Sequence, residues 1–487
     1  MNVSQKTPKK VIPIVAHTSM FAAQNKIYPR ATSGYFTNWR WIMVWITQLI
    51  FYGTPWLEFG QRQAVLLDID THRFYIFGLI LYPQDLIYLA VILIISALAL
   101  FLFTTVAGRL WCGFSCPQSV YTKIFLWIEY KVEGDRAKRI KLDSKKVSIK
   151  THYKKWIKHA IWIGFSILTG FTFLGYFTPI RHLFDGILNF SLGPWETFWI
   201  SFYGLATYGN AGFLREQVCL HMCPYARFQG VMFDKDTLIV TYDEKRGEPR
   251  SGRSRNVDAK GKGLGDCIDC SFCVQVCPVG IDIRDGLQYE CISCGLCIDA
   301  CNSVMDKMDY PRNLIKFSTL SSAGLSEVTL SEVTLSNQHE ASATYEVAHK
   351  ILRPRVLMYS GFLLLLCVGF VVSLSLRSTF MVDVIRDRGV MSRITSEGAI
   401  ENVYRLQITN ATENAQTFRV SVTGLDGLSI SSNHEFMVKP ASERMVPISL
   451  QIPDGSVSSG SHRIMFNIEA LGRDEKVSEK STFLMPR

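Results

Sequence analysis

The stretch from Asp266 to Cys301 constrains this chain most, because eight of its thirteen cysteines fall there. Cys267, Cys270 and Cys273 are separated by two residues each, Cys277 follows after three more with Pro278 behind it, and Cys291, Cys294, Cys297 and Cys301 repeat the pattern. A cubane iron–sulfur cluster needs four thiolates converging from different directions, so three come from a tight loop and the fourth from elsewhere. In two-cluster ferredoxins the fourth cysteine of each run serves the other cluster. That crossing predicts one ligand set of Cys267, Cys270, Cys273 and Cys301, and another of Cys291, Cys294, Cys297 and Cys277. Zinc sites pair two short knuckles, or a knuckle with histidine, and give no reason for the doubled triple. Gly280 and Gly295 allow close backbone approach, and Ile268, Val274, Val276, Ile281, Ile292, Leu296 and Ile298 can shield the clusters. Cys301 is followed by Asn302 rather than proline, which bears on the turn more than on ligation.

The 487 residues suggest several domains, and a hydrophobic fraction of 48% with ten Trp and thirty Phe directs attention to membrane segments. Residues 1–38 begin polar and basic, without an apolar run beside a small-residue cleavage site, and are expected as a cytoplasmic tail. Five spans are predicted, near Trp39 to Phe59, Leu86 to Ala107, Ile157 to Phe177, Trp195 to Leu214 and Val356 to Leu376. Trp39, Trp41 and Trp56 would sit at interfaces. The connection from Arg109 to Lys158 carries 13 Lys or Arg against 4 acids, whereas Gln61 to Asp85 carries 2 against 3. The positive-inside rule makes the former cytoplasmic. The amino terminus and the eight-cysteine unit then fall inside and the carboxy-terminal region outside, in agreement with cysteines that need a reducing compartment. The net charge of +10 is concentrated in that basic loop, at 108–156, which fits an anionic lipid surface and excludes nucleic acid as a partner.

The expected organisation is a multi-domain membrane protein. A tail (1–38) precedes a four-helix transmembrane region (39–214), a linker (215–265) and a cytoplasmic bacterial-type ferredoxin domain with two [4Fe-4S] clusters (266–317). A Ser/Thr-rich linker (318–354) containing a tandem SEVTL, a fifth transmembrane helix (355–376) and a periplasmic β-sandwich (377–487) complete it. The glycines of GKGLG follow no clear strand and open no helix, so they do not read as a nucleotide loop. The sandwich follows from alternation at Tyr404, Leu406 and Ile408, at Phe418, Val420 and Val422, at Val446, Ile448, Leu450 and Ile452, and at Ile464, Phe466 and Ile468, with turn residues between. It holds no cysteine, so no disulfide pins its sheets, and with no clustered titratable residues an interaction module of immunoglobulin-like type is expected. Asn410 and Thr412 form a sequon.

Two further cysteine pairs carry the sharper expectation. RLWCGFSCPQ ends the second span and EQVCLHMCPYAR ends the fourth, and both contain Cys-x-x-x-Cys-Pro. A spacing of four places Cys112 above Cys116, and Cys219 above Cys223, on one helical face, and the proline ends or bends the helix beside them. Four thiolates at one depth could hold a soft ion such as Cu(I), with His221 and Met222 as additional donors. The plain alternative is buried thiols acting as small hydrophobes. Cys367, alone in the fifth span, reads as packing.

WCGFSCPQ, CLHMCPYAR, the doubled ferredoxin run and an outer sandwich after a last span together resemble the CcoG/FixG/RdxA-type membrane polyferredoxins, over nearly the whole chain from about Phe36. The ferredoxin run is specific for clusters; the paired Cys-x-x-x-Cys-Pro motifs in this order are more specific for the family. The resemblance implies a multi-pass inner-membrane protein that assembles the cbb3-type cytochrome c oxidase, as a cupric reductase supplying Cu(I). It assigns the eight cysteines as cluster ligands and Cys112, Cys116, Cys219 and Cys223 as copper-handling residues. Oxidase assembly factors, a copper transporter or chaperone and an unidentified cytoplasmic electron donor would be the partners beside the lipid bilayer. Two other readings stand beside it. One is an electron carrier between a quinol pool and a respiratory enzyme, the other a non-enzymatic copper chaperone or scaffold.

Overall fold

The computed structural model describes residues 26–487 apart from 61, 145–148, 256, 258–259, 320–352, 388–391, 397, 474 and 487. The tandem SEVTL and most of the Ser/Thr-rich linker lie outside the described residues. The helices are α1 (Tyr35–Gly53), α2 (Leu86–Ala107), α3 (Leu110–Phe114), α4 (Pro117–Glu133), α5 (Arg136–Ser144), α6 (Ile149–Leu174), α7 (Ile180–Leu188), α8 (Pro194–Gly209), α9 (Pro224–Met232), α10 (Glu244–Gly247), α11 (Phe272–Val276), α12 (Leu296–Met308) and α13 (Pro354–Ser375). The strands are β1 (Glu58–Phe59), β2 (Arg62–Gln63), β3 (Val65–Asp68), β4 (Arg73–Ile76), β5 (Leu79–Leu81), β6 (Ile239–Tyr242), β7 (Ile315–Ser318), β8 (Phe380–Arg386), β9 (Arg393–Ile394), β10 (Ala399–Asn410), β11 (Gln416–Thr423), β12 (Ser429–Ile430), β13 (Glu435–Val438), β14 (Glu443–Pro453), β15 (Gly460–Leu471) and β16 (Lys476–Met485).

Among the described residues three helices, at Pro83–Ala107, Thr151–Leu174 and Pro354–Ser375, are long and apolar enough to cross a membrane. The other two expected spans fall short of that measure. The helix α8 has 16 residues and continues as a π-turn over Asn210–Leu214, and α1 carries Asn38, Arg40, Thr47 and Gln48 among its apolar residues. The first span also ends earlier than expected. Pro55 cannot donate to the helical ladder and crowds the preceding turn, so the chain passes into a 3-10 turn at Thr54–Trp56 and is already extended at Glu58.

All five of these helices run between the same two ends. At one end, Leu67 N donates to Tyr176 O just beyond α6, and the β3-β4-β5 sheet that follows α1 shares a core with Ala411 and Met381 of the carboxy-terminal domain. Arg377 and Asp85 pair where α13 ends and α2 begins. At the other end, Arg353 before α13 bonds Asp234 at 2.6 Å and the carbonyl of Thr105 in α2. Close helix contact rests on small residues. A Cβ at Gly170 of α6 would stand 2.4 Å from Ile200 O of α8, so only glycine lets these backbones approach so closely.

The stretch 215–265, expected as a linker, contains α9, β6 and α10, and β6 pairs antiparallel with β7 beyond the cysteine runs. Val240, Tyr242, Leu314 and Ile315 from this ribbon pack with Cys267 and Cys273, so the cysteine-rich unit needs its flanks to complete a core. The carboxy-terminal domain is the expected sandwich. One sheet has the order β12-β14-β10-β8, with β9 on β10, and the other β13-β11-β15-β16. Tyr404, Phe418, Ile448, Phe466 and Phe483 are fully buried between them. Asn410 is buried and donates to the carbonyls of Asn414 and Lys439 while accepting from Thr412, so the sequon serves a turn.

Gly170→Val is expected to lower stability by about 1–3 kcal/mol through overpacking. A thermal melt in detergent, followed by aggregation of the helical core, should show this while the sandwich's own transition stays put.

Candidate redox centre

The two cysteine runs fold as copies of one loop. Asp269 and Ser271 after Cys267, and Ser293 and Gly295 at the same offsets after Cys291, all take positive φ. This conformation is costly for residues with a Cβ, and it turns three sulfurs inward. The helices α11 and α12 start where each loop ends and carry its third cysteine. Cys277 follows α11, whereas Cys301 lies one turn beyond Cys297 within α12.

The crossed grouping appears in two small apolar cavities of about 20 Å³ each. One is lined by Cys267, Cys270, Cys273 and Cys301. The other is lined by Cys277, Cys291, Cys294 and Cys297, together with Cys273. Burial pushes the Cys273 and Cys291 thiols up to about 11 and those of Cys277 and Cys301 up to about 12. Thiols of this kind stay protonated until iron displaces the proton. Among the described residues no three His, Cys, Asp or Glu donors close on one point tightly enough for a single ion. A cubane takes four thiolates spread around its body, and each cavity is lined by at least four cysteines, which fits a cluster.

The two Cys-x-x-x-Cys-Pro motifs also repeat each other, but not as expected. Cys112 lies in α3 and Cys219 in a π-turn, while Cys116 and Cys223 occupy the N-cap positions of new helices, α4 and α9, with Pro117 and Pro224 as first residues. The proline therefore starts a helix rather than ending one, since its fixed φ suits that position and its missing N–H costs nothing there. The backbone N–H groups of Gln118 and Ser119 donate to the Cys116 sulfur. All four thiols nonetheless come within electrostatic reach of one another. Burial raises Cys116, and lifts Cys112 to about 11 and Cys219 to about 12. His221 and Met222 are exposed, unlike the half-buried thiols.

Residues that the sequence reading did not single out brace the motifs. Gln118 Nε2 donates to the carbonyls of Asn210 and Arg215, each at 3.0 Å, tying the start of α4 to the approach of the second motif. The fully buried Gln229 donates its Nε2 to Cys112 Sγ at 3.5 Å, and Arg109 reaches the carbonyl of Ala226. Behind them, Glu129 is 1% exposed and bonds Arg139 and Arg215, with Lys158 at 3.7 Å. Burial alone would raise this carboxyl, but Arg215, Lys158 and Arg139 hold it below the ordinary range.

One seam joins the thiol quartet to the cysteine runs. A Cβ at Gly113 would stand 2.7 Å from Ile292 O and 2.9 Å from Cys294 Cα, and Cys112 packs against the core that holds Cys294. Arg40 Nε of α1 donates to Gly113 O at 2.9 Å. Nearby, the Asp299 carboxylate accepts from Thr37 N at 2.7 Å, Thr37 Oγ1 at 2.8 Å and Phe36 N at 3.2 Å, so a residue of α12 caps α1. Asp299→Ala should cost about 1–2 kcal/mol, and hydrogen exchange should show faster exchange at the Phe36 and Thr37 amides with the sandwich unchanged.

Comparison with known proteins places these features together. A family described as "4Fe-4S dicluster domain" matches residues 214–320, "4Fe-4S binding domain" matches 89–133, and "IG-like fold at C-terminal of FixG, putative oxidoreductase" matches 370–486. The chain is 37% identical to the nitrogen fixation protein FixG of Rhizobium meliloti over 83% of its own length and 80% of that protein. It is 36% identical to protein RdxA of Cereibacter sphaeroides over 90% of this chain and 91% of that one. A crystal structure of a FixG-related protein from Vibrio parahaemolyticus covers 22% of this chain and 97% of that chain at 25% identity, with a TM-score of 0.21. The chain therefore belongs to the FixG/RdxA family of iron–sulfur electron-transfer proteins.

Proposed function

We propose that this protein is a cupric reductase that reduces Cu(II) to Cu(I) for assembly of a cbb3-type oxidase, with Cys112, Cys116, Cys219 and Cys223 as the copper-handling thiols. The observation that carries this reading is the seam at Gly113, where the quartet meets the Cys294 loop with no room for a methyl group. Cys267, Cys270, Cys273 and Cys301 would hold one [4Fe-4S] cluster, and Cys291, Cys294, Cys297 and Cys277 the other. Clusters, when bound, supply single electrons, the number that Cu(II) needs to become Cu(I). Thiolates then favour the product, because soft sulfur donors select Cu(I). Gln229 steadies Cys112, and Cys116 and Cys223 hold matching N-cap positions within electrostatic reach of each other. The exposed His221 and Met222 would meet copper on its way in or out rather than within the quartet.

The alternating direction of the five helices between the same two ends supports five crossings, with the cysteine-rich end at the basic, cytoplasmic face and the sandwich in the periplasm. Oxidase assembly factors and a copper carrier would meet the protein there, and a cytoplasmic donor would meet the exposed Cys270 side. The test uses anaerobically purified protein, reduced and freed of reductant, to which Cu(II) and a Cu(I)-specific chelator are added. Cluster absorbance should recover to its oxidised level as Cu(I) appears, and the C112S/C116S/C219S/C223S variant should keep its ferredoxin clusters but lose at least about 90% of the rate, as expected when transition-state contacts are removed. Reduced clusters that ignore Cu(II) would end this proposal in favour of a quinol-linked carrier, and copper binding without turnover would favour a chaperone.

A second reading has one observation behind it. The "4Fe-4S binding domain" match at 89–133 includes Cys112 and Cys116, so the quartet would hold a third iron–sulfur group. Iron analysis separates the two. On the copper reading the quartet variant keeps the native iron content, whereas Cys270→Ser should lose about half of it because one of two clusters goes.

A further inference from the structure

Between α1, α4 and the cysteine-rich unit lies a cavity of about 180 Å³. Its floor is formed by Val276, Pro278, Ile292 and Leu296 of the cysteine loops, and Cys219 reaches its wall. The remaining wall is strongly basic. Arg30, Arg40, Lys123, Arg139 and Arg215 all line it, against the single acid Glu216. Three of these cations are engaged elsewhere. Arg139 and Arg215 share the Glu129 carboxylate, and Arg30 lies over the Phe272 ring.

Arg40 and Lys123 are different. Arg40 is 4% exposed, and its Nη1 has no hydrogen-bond partner. Lys123 lies over Trp41, 5.1 Å from the ring centroid, and among the described residues neither cation is in an ion pair. They are close enough that the charge of Arg40, after burial, helps push the Lys123 ammonium down to about 7. Burial also raises the Glu216 carboxyl, and among the described residues Glu216 forms no ion pair with either cation. A buried and a half-buried like charge without an anion between them are unfavourable, and an unmade buried hydrogen bond adds to that cost.

The rim shows what kind of anion fits. Trp127 is 45% exposed beside the cavity and meets Trp41 of α1 edge-on at 6.0 Å, and the outward residues of α1 include Ile42, Trp45, Ile46 and Leu49. An apolar helix face with Trp at its end meets lipid at headgroup depth. We propose that the phosphoryl group of an anionic phospholipid occupies this cavity, bonded by Arg40 and Lys123, with its acyl chains along α1. The lipid would bridge α1 and α4 to the cysteine loops. This inference rests on the reading of α1 as a membrane helix.

Delipidated full-length protein in neutral detergent is titrated with phosphatidylglycerol, phosphatidylcholine or inorganic phosphate and read by native mass spectrometry. One phosphatidylglycerol should bind in preference to phosphatidylcholine, with no comparable binding of free phosphate. Arg40→Gln and, independently, Lys123→Gln should each weaken it by about fivefold or more, in line with roughly 1 kcal/mol per basic residue at a lipid surface. Lys131→Gln, on an exposed residue of the same helix, should leave it unchanged. Unaltered cluster absorbance verifies folding of each variant. Equal binding of the two lipids, or binding untouched by both variants, overturns the site; tight binding of phosphate alone overturns its assignment to lipid. Resistance to alkaline extraction from membranes tests the membrane reading separately, so a firmly embedded protein without lipid preference refutes the site alone.

Discussion

The arrangement depends on a backbone contact at Gly113. Because that residue has no side chain, the loop carrying Cys294 lies directly on the first Cys-x-x-x-Cys-Pro motif, and Arg40 fixes the same carbonyl from α1. A methyl group there would have to move backbone atoms, which dense packing resists. The Asp299 cap on α1 repeats the same junction a few residues away. The cysteine-rich unit is thus built into the end of the helix bundle, and its position relative to the thiol quartet is set by covalent geometry and sterics rather than by a soluble-style interface.

The second organising feature is duplication at two scales. The ferredoxin loops repeat the same positive-φ positions, and the Cys-x-x-x-Cys-Pro motifs repeat the same break from one helical segment into a proline-started helix. Each duplication brings two short segments together, so that cysteines from both line one cavity in the ferredoxin unit and lie within electrostatic reach of one another in the quartet. Around the quartet, Gln118, Gln229 and Arg109 cross between the motifs, while the Glu129 cluster anchors Arg215 at the entry to the second. Such braces decide whether thiols are merely adjacent or held in common geometry.

Much of this was legible in the sequence because spacing is a direct record of geometry. The crossed cysteine sets follow from the ligation rule of two-cluster ferredoxins applied to the spacing, and the alternating strands of the sandwich follow from periodicity. The helical-face argument for Cys112 and Cys116 failed because it assumed that one helix continues through the motif, whereas Pro117 resets it. The stretch 215–265 looked like a linker for its charge and glycine content, yet Ile239–Tyr242 finds a partner strand some seventy residues later, a pairing no local pattern records. The β3-β4-β5 sheet was missed for the same reason: its burial comes from Ala411 and Met381, far along the chain. Gln229 and Asp299 carry no motif, and only the fold shows what they touch.

The quartet's role as a copper site is the claim on which the functional account turns. X-ray absorption at the copper edge of protein loaded with one equivalent of Cu(I) tests it most directly. The account predicts a coordination shell of sulfur that disappears when Cys112, Cys116, Cys219 and Cys223 are changed to serine while the iron–sulfur signal remains. A copper shell of nitrogen and oxygen only, or a sulfur shell that survives in that variant, would contradict it.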